Sequence, residues 1–341
     1  MTDKGWQRPS IYDVATLAGV SHSTVSRVLN DQPYISDSAR QRVLDAIEQT
    51  NFTPSSIARA LATKRANRIG VVVDTSPQYG PNSTIRALES AARHPGYGIT
   101  AYSVGDEDGG LGIDAAVDEL VAHGVDALCV IAPRLSSLEA LRQRQTGVPV
   151  LIIKSEADAD MHTAAVDQRA GAMMVMKHLL DLGHRSIAHI AGPLDWYDAR
   201  AREAAWREAL AAARVTPAEP VIGDWSSASG YELGRSHDFG DATAIFAAND
   251  QMALGAIHGL TDRGLRVPED VSVVGFDDLP DSRHFLPPLT TVRQDFAALG
   301  ALAVELLVAA IEETPMPERT MITPQLSVRA STAPPPSGSD P

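Results

Sequence analysis

The chain has one cysteine in 341 residues, Cys129, so no disulfide can form within it. That thiol lies in the apolar run DALCVIAP and reads as a small core residue rather than a reactive nucleophile. No run of about 18 apolar residues occurs, so no membrane-spanning helix is expected. The opening residues MTDKGWQRPS lack a basic stretch followed by an apolar one, and no secretory signal is expected. These absences point to a cytoplasmic protein. Enzyme motifs are missing as well: there is no GxGxxG behind a strand, no GxxxxGK[ST] and no GxSxG. The ten histidines show no His-x-x-x-His or Cys/His ligand spacing. His184 and His189 read as a loop residue and a strand residue. Asp277-Asp278 follows a β-like run without a partner acid or base. Catalysis, a metal and a cofactor are therefore not expected.

An excess of basic charge is also lacking. The formal net charge is −14, which argues at first against a nucleic-acid partner. Its distribution matters more. Through Ala66 there are eight Lys/Arg against six Asp/Glu, so the acidic excess lies in the rest of the chain. A mildly basic head on an acidic body confines any DNA contact to the N-terminus. The length implies two or three domains.

Three short helices are legible in the head. Ser10-Ile-Tyr-Asp13 has capping-box spacing and predicts a helix from Ile11, presenting Val14, Ala15, Leu17 and Ala18 and stopping at Gly19. A second start at Ser21 carries Val25, Val28 and Leu29 on one face. A third, near Ser36, carries Ala39, Val43, Ala46 and Ile47. Two helices joined by a Gly-containing turn, closed by a third, describe a helix-turn-helix. Pattern alone equally allows a packing module without DNA. The second helix adds His22, Ser23, Ser26, Arg27 and Asn30, polar groups suited to base edges and phosphates in a major groove.

The segments Tyr12-Asp-Val-Ala-Thr-Leu-Ala-Gly-Val-Ser21 and Thr24-Val-Ser-Arg-Val-Leu-Asn30 resemble the signature of the LacI/GalR family. The resemblance implies that Arg27 reads the groove and that His22 and Ser23 set operator choice. It further implies that Thr24, Ser26 and Asn30 position the helix on the backbone. Ser10, Ile11, Tyr12, Ser21 and Ser36 are carried over as further DNA contacts. After Asn51-Phe-Thr-Pro54 comes Ser55-Ser-Ile-Ala-Arg-Ala-Leu-Ala62, which alone is a marginal Ala-rich helix. It is similar to the family's hinge helix, with Ser55 and Ala58 on DNA and Leu61 as a minor-groove wedge. Taken alone, Leu61 reads as core.

From Arg68 the runs IGVVVD, GITAYSV, DALCVIAP, VPVLIIK, SIAHIAG, AIFAAN and VSVVGFDD alternate with helical patterns. Such alternation means parallel sheets covered by helices, in two α/β subdomains, with a ligand at the strands' C-terminal ends. The family resemblance continues through Ala191-Gly-Pro-Leu194, Gly223-Asp-Trp-Ser226, Ala248-Asn-Asp-Gln251, Val273–Asp278 and Pro287–Phe296, from about Ser10 to Arg329. It implies a periplasmic-binding-protein-like core of two subdomains joined by three crossovers, with a sugar effector between them. Residue by residue, Arg202 matches the arginine that forks to sugar hydroxyls, Asn249 and Gln294 the amides, and Asp277 the carboxylate. Trp225 matches the aromatic on the sugar's apolar face, and Phe296 a wall position. Planar bidentate groups suit vicinal hydroxyls.

Two departures concern the ligand. Lys154 ends VPVLIIK where a family member has a carboxylate, and Asp74 ends IGVVVD where it has a small hydroxyl. Either the two form an ion pair in the cleft wall or Lys154 meets an acidic ligand. Trp196, with Asp195 and Asp198 beside it, is either a second aromatic for a glycoside or a lid on Arg200. The expected layout is a headpiece at 1–53, a hinge at 54–66 and an N-terminal subdomain at 67–166 plus 294–322. A C-terminal subdomain follows at 167–293 plus 323–332, and a disordered tail at 333–341. No leucine-heptad helix follows Arg329, so a homodimer reading pseudo-palindromic operator DNA is expected. The function this implies is a repressor released by a sugar, with a corepressor-dependent regulator or a plain sugar-binding protein as alternatives.

Overall fold

The computed structural model describes residues 9–29, 32–53, 65–74, 78–104, 112–131, 134–142, 144–155 and 161–336. They form two units that divide between Ala66 and Asn67. The first holds α1 (Ile11–Ala18), α2 (His22–Leu29) and α3 (Asp37–Thr50). The capping box at Ser10 is formed: the Asp13 N–H donates to Ser10 Oγ at 3.4 Å, and the Ser10 N–H to the Asp13 carboxylate at 2.7 Å. Gly19 ends α1 at φ 64°, a left-handed conformation that side chains disfavour. Ser21 caps α2 and Ser36 caps α3 through their hydroxyls. Val14, Ala15, Ala18, Val25, Val28, Val43 and Ala46 form the buried core.

Leu17, expected on the buried face, is 52% exposed. At about 100° per residue, Ile11, Val14, Ala15 and Ala18 share one stripe, and Leu17 falls roughly a third of a turn away from it.

The second unit contains two six-stranded sheets. The first is built from β1 (Arg68–Asp74), α4 (Tyr79–Ala92), β2 (Gly98–Val104), α5 (Ile113–Ala122), β3 (Ala127–Ile131), α6 (Leu135–Arg142), β4 (Val150–Ile153) and β5 (His162–Val166). The chain then crosses to α7 (Gln168–Asp181), β6 (Ile187–Ala191), α8 (Tyr197–Ala212), β7 (Val221–Ile222), α9 (Ser227–Ser236), β8 (Ala244–Ala247), α10 (Asp250–Asp262), β9 (Ser272–Asp277) and β10 (Thr290–Arg293). It returns for α11 (Phe296–Glu312) and β11 (Met321–Ile322) and ends with β12 (Gln325–Ser327) in the second sheet. Strand order is β2-β1-β3-β4-β5-β11 and β7-β6-β8-β9-β10-β12. All pairs are parallel except β10 with β12.

Seven of these strands follow the seven β-like runs read from the sequence. The five others, β5, β7, β10, β11 and β12, are short or open on polar residues, and no apolar run marks them.

Cys129 is buried in β3, and burial pushes its thiol up to about 12. His189 is a core residue of β6, in ring contact with Phe246 at 4.7 Å and Trp206 at 5.4 Å, and burial pushes it down to about 4. The tail expected to be loose from 333 is instead held at its start. The Ala333 N–H donates to Ser272 Oγ at 3.0 Å, and the Ala333 carbonyl lies 2.8 Å from His184 Nε2. The chain end supplies partners for polar groups beside β9. Among the described residues no helix is long and apolar enough to cross a membrane.

Candidate functional site

Two polar surfaces stand out, one in each unit. In the headpiece, Tyr12 of α1 is 64% exposed and its ring lies 5.3 Å from that of His22, which opens α2. Ser23 and Arg27 are exposed on α2, while Thr24 and Ser26 are half-buried. The structure therefore collects Tyr12, His22, Ser23 and Arg27 on one outward face. The serines carried over as DNA contacts behave differently. Ser10, Ser21 and Ser36 each direct a hydroxyl at their own helix's backbone, and Ser21 Oγ also meets Ser23 Oγ at 2.7 Å and Thr24 Oγ1 at 2.9 Å. Ile11 packs against the core. Asn30, Ser55, Ala58 and Leu61 lie outside the described residues.

In the second unit a cleft enclosing about 660 Å³, the open solvent at its mouth included, lies where the C-terminal ends of the strands of both sheets converge. This is the position expected for ligands of open parallel sheets. Lys154, Trp196, Asp198, Arg202, Trp225, Asn249, Asp277, Gln294 and Phe296 all line it. The main chain of Asp74 ends β1, but its side chain lies outside the described atoms, and with it the expected pair with Lys154.

Trp225 is fixed from several sides. Its backbone is left-handed at φ 73°, and its carbonyl accepts from Asn249 Nδ2 at 2.9 Å. Its six-membered ring lies where a Cβ on Gly192 would fall at 2.2 Å, so only glycine fits there. Trp196 meets it edge-on, centroids 6.0 Å apart. Trp196 is not a lid on Arg200, which is exposed. It is buried, and its main chain pairs with Arg134 of the other sheet's side. The adjoining Asp195 carbonyl accepts from the Leu135 N–H at 3.0 Å, and Arg134 Nε lies 3.7 Å from its carboxylate. Lys154 is buried, with Nζ 4.8 Å from the centre of the Tyr197 ring. Phe296, opening α11, meets Tyr79 edge-on at 5.8 Å.

The polar groups bond mainly to each other. Asn249 caps α10 by accepting the Met252 N–H at 2.9 Å, so its amide serves the scaffold on both sides. Arg202 does not present its side-on edge to the cavity: Nε and Nη2 donate to Gln168 Oε1 at 3.0 and 2.7 Å. Its Nη1 donates to the Ala248 carbonyl. Gln168 Nε2 donates to Gln294 Oε1 at 2.8 Å, and Gln294 Nε2 to Asp277 Oδ1 at 2.7 Å.

Asp277 has φ 115°, a strained conformation of the kind functional sites hold. Burial pushes its carboxyl up to about 6, against the pull of Arg202 and Gln294. Asp198 is also raised by burial, with Arg202 and Ser155 opposing. Arg202 is lowered by burial, which Asp277, Asp198 and Asp250 offset.

One lining residue, Gln168, and one buried group behind the lining, Asp250, were not read from the sequence. Gln168 opens a helix directly after a strand's C-terminal end, which was the available signal. Asp250 follows Asn249 within the family-like segment Ala248–Gln251. It is fully buried and accepts from the Leu279 N–H at 2.9 Å and from Ser282 Oγ and Thr291 Oγ1, each at 2.5 Å. Burial and Asp277 push it up to about 7.

A helix-turn-helix unit with a polar recognition face, joined in one chain to a two-sheet unit closing on a polar cavity, defines a ligand-binding DNA-binding regulator. Residues 10–55 match the model of bacterial regulatory proteins of the lacI family, and residues 176–332 that of the periplasmic binding protein-like domain. The chain is 36% identical to the lactose operon repressor of Escherichia coli strain K12, over 87% of this chain and 83% of that one. It is 34% identical to the HTH-type transcriptional repressor PurR of Haemophilus influenzae strain PittEE, over 94% and 98%. The fold superposes on the lac repressor dimer bound to operator and the anti-inducer ONPF with TM-score 0.88 at 33% identity, covering 96% of this chain and all of the other. On the complex of the transcriptional regulator CelR with cellobiose the TM-score is 0.69 at 29% identity, covering 95% and 100%. The chain belongs to the lacI family of bacterial regulatory proteins and is a DNA-binding transcriptional repressor with a ligand-binding core.

Proposed function

We propose that this repressor controls a carbohydrate-utilisation operon and leaves its operator when a glycoside binds between the two sheets. The observation that carries the reading is the cavity lining: two tryptophans in edge-on contact, with a buried arginine and two carboxylates beside them. Apolar ring faces together with charged donors and acceptors suit a sugar, which presents both. On this reading Arg27 contacts base edges, His22 and Ser23 choose the operator, and residues 54–66 form the hinge that carries Leu61. Ser10, Ser21 and Ser36 act by setting the helix starts. A homodimer in the cytoplasm places two headpieces on a pseudo-palindrome.

Effector binding changes the angle between the sheets and reaches DNA as a coupling free energy of about 1–3 kcal/mol. The family resemblance leaves a second reading, in which a corepressor raises operator affinity. A gel-shift assay on the gene's upstream DNA decides between them, run with lactose, cellobiose and a purine base. Release by a glycoside supports induction. Tightening by any of the three supports corepression, and no specific DNA complex under any condition refutes both. Sedimentation at micromolar concentration is expected to show a dimer; a tetramer contradicts that part.

A further inference from the structure

A buried arginine and a buried aspartate this close ordinarily close into a direct, often bidentate, ion pair. Here they do not. Arg202 Nη2 and Asp277 Oδ1 are 3.9 Å apart, although both side chains are almost fully buried. Two glutamine amides occupy the groups that would otherwise meet. Gln168 Oε1 takes the Nε–Nη2 edge of Arg202, Gln168 Nε2 donates to Gln294, and Gln294 donates to Asp277. Of the five N–H donors of Arg202, Gln168 takes two and the Ala248 carbonyl one. The guanidinium plane is fixed as well, because its carbon lies 3.9 Å from the centre of the Phe276 ring.

We propose that Gln168 is a positioning residue of the effector site, holding Arg202 off Asp277 so that one ligand hydroxyl can bridge them from the cavity side. This rests on the reading of the cavity as the effector site. An oxygen set to one side of the 3.9 Å line can stand roughly 2.8 Å from each group and so bridge the two. That oxygen accepts from Nη2 and donates to the carboxylate, which selects a hydroxyl over an ether or a carbonyl. The ligand class is a polyol with a free hydroxyl at this point. Gln168 opens α7 at the first crossing of the chain between the sheets, and Gln294 stands at the second, so the spacing of the charged pair is tied to both crossings.

The test is Gln168→Met, which keeps the length and removes the amide. Its crystal structure is expected to show Arg202 closed on Asp277, with Nη2–Oδ1 falling from 3.9 Å to about 2.9 Å. Gln168→Glu keeps an acceptor for Nε and Nη2 and is expected to retain the gap, a rescue that loosened packing alone does not produce. Calorimetric affinity of the Met variant for lactose or cellobiose is expected to drop about tenfold or more. An unchanged gap, or a gap lost equally in the Glu variant, overturns the proposal. So does full glycoside affinity in the Met variant. If the Met variant does not fold, Gln168→Ala carries the same expectation. If the native protein binds neither glycoside, the glycoside reading fails while the ligand-free distance still decides the role of Gln168.

Discussion

Arg27 stands exposed in the last turn of α2 with no core packing to lose. Arg27→Ala is therefore expected to cost specific operator affinity, by about 1–3 kcal/mol if it makes one bidentate base contact. The melting temperature should stay unchanged; a gel shift beside a thermal melt checks this, and a matching loss of stability would contradict it. Asp250 and Asp277 carry a pH dependence. Their folded values, about 7 and about 6, lie above the ordinary 3.8. Between those limits the folded chain holds protons that the unfolded chain has released, so their contribution to stability falls as pH rises from about 4 to about 7. Calorimetric melts from pH 5 to pH 8 should fall with pH, and Asp250→Asn should flatten that slope; an equal slope in the variant refutes the assignment. Single residues were legible where a motif names them, as with Arg202 and Asp277. Their bonding was not, because it depends on Gln168, which reaches Gln294 across 126 positions.

Helix starts were legible because capping is local: Ser10, Ser21 and Ser36 each cap within three residues. Ser10→Ala is expected to cost the headpiece about 1 kcal/mol, read from amide exchange confined to α1. The packing of α9 on α10 was not legible, since nothing local marks it. There the helices meet backbone to backbone: a Cβ on Gly255 would fall 2.0 Å from the Ser227 carbonyl oxygen, and one on Gly259 2.4 Å from that of Tyr231. Gly255→Ala must push α10 off α9 and with it Asn249, the cap that holds Trp225. A loss of about 1–3 kcal/mol and weaker glycoside binding are expected together. Lost stability with unaltered binding would disconnect the helix pair from the cavity.

Charge divides the molecule as the sequence indicated, with eight Lys/Arg against six Asp/Glu through Ala66 and the acidic excess beyond it. At this scale the relation between effector and operator is reciprocal. If a glycoside weakens operator binding by some factor, operator must weaken glycoside binding by the same factor. Paired titrations with and without DNA measure both, and unequal factors exclude a simple two-state repressor. The fold class was legible from alternating runs, whereas the third crossing, between 322 and 323, came only from the family resemblance, because β11 and β12 have only two and three residues. Those short strands have a geometrical consequence. β11 lies beside β5, where the chain first leaves the first sheet, and β12 lies beside β10, where it goes back. With Gln168 bonded to Gln294, all three crossings run along one margin, like the spine of a book. Two covers on one spine have a single freedom, the angle at which they stand open. On the proposed reading the cavity reports to the DNA through that angle, and the distance between two labels on the outer edges, β2 and β7, would read it.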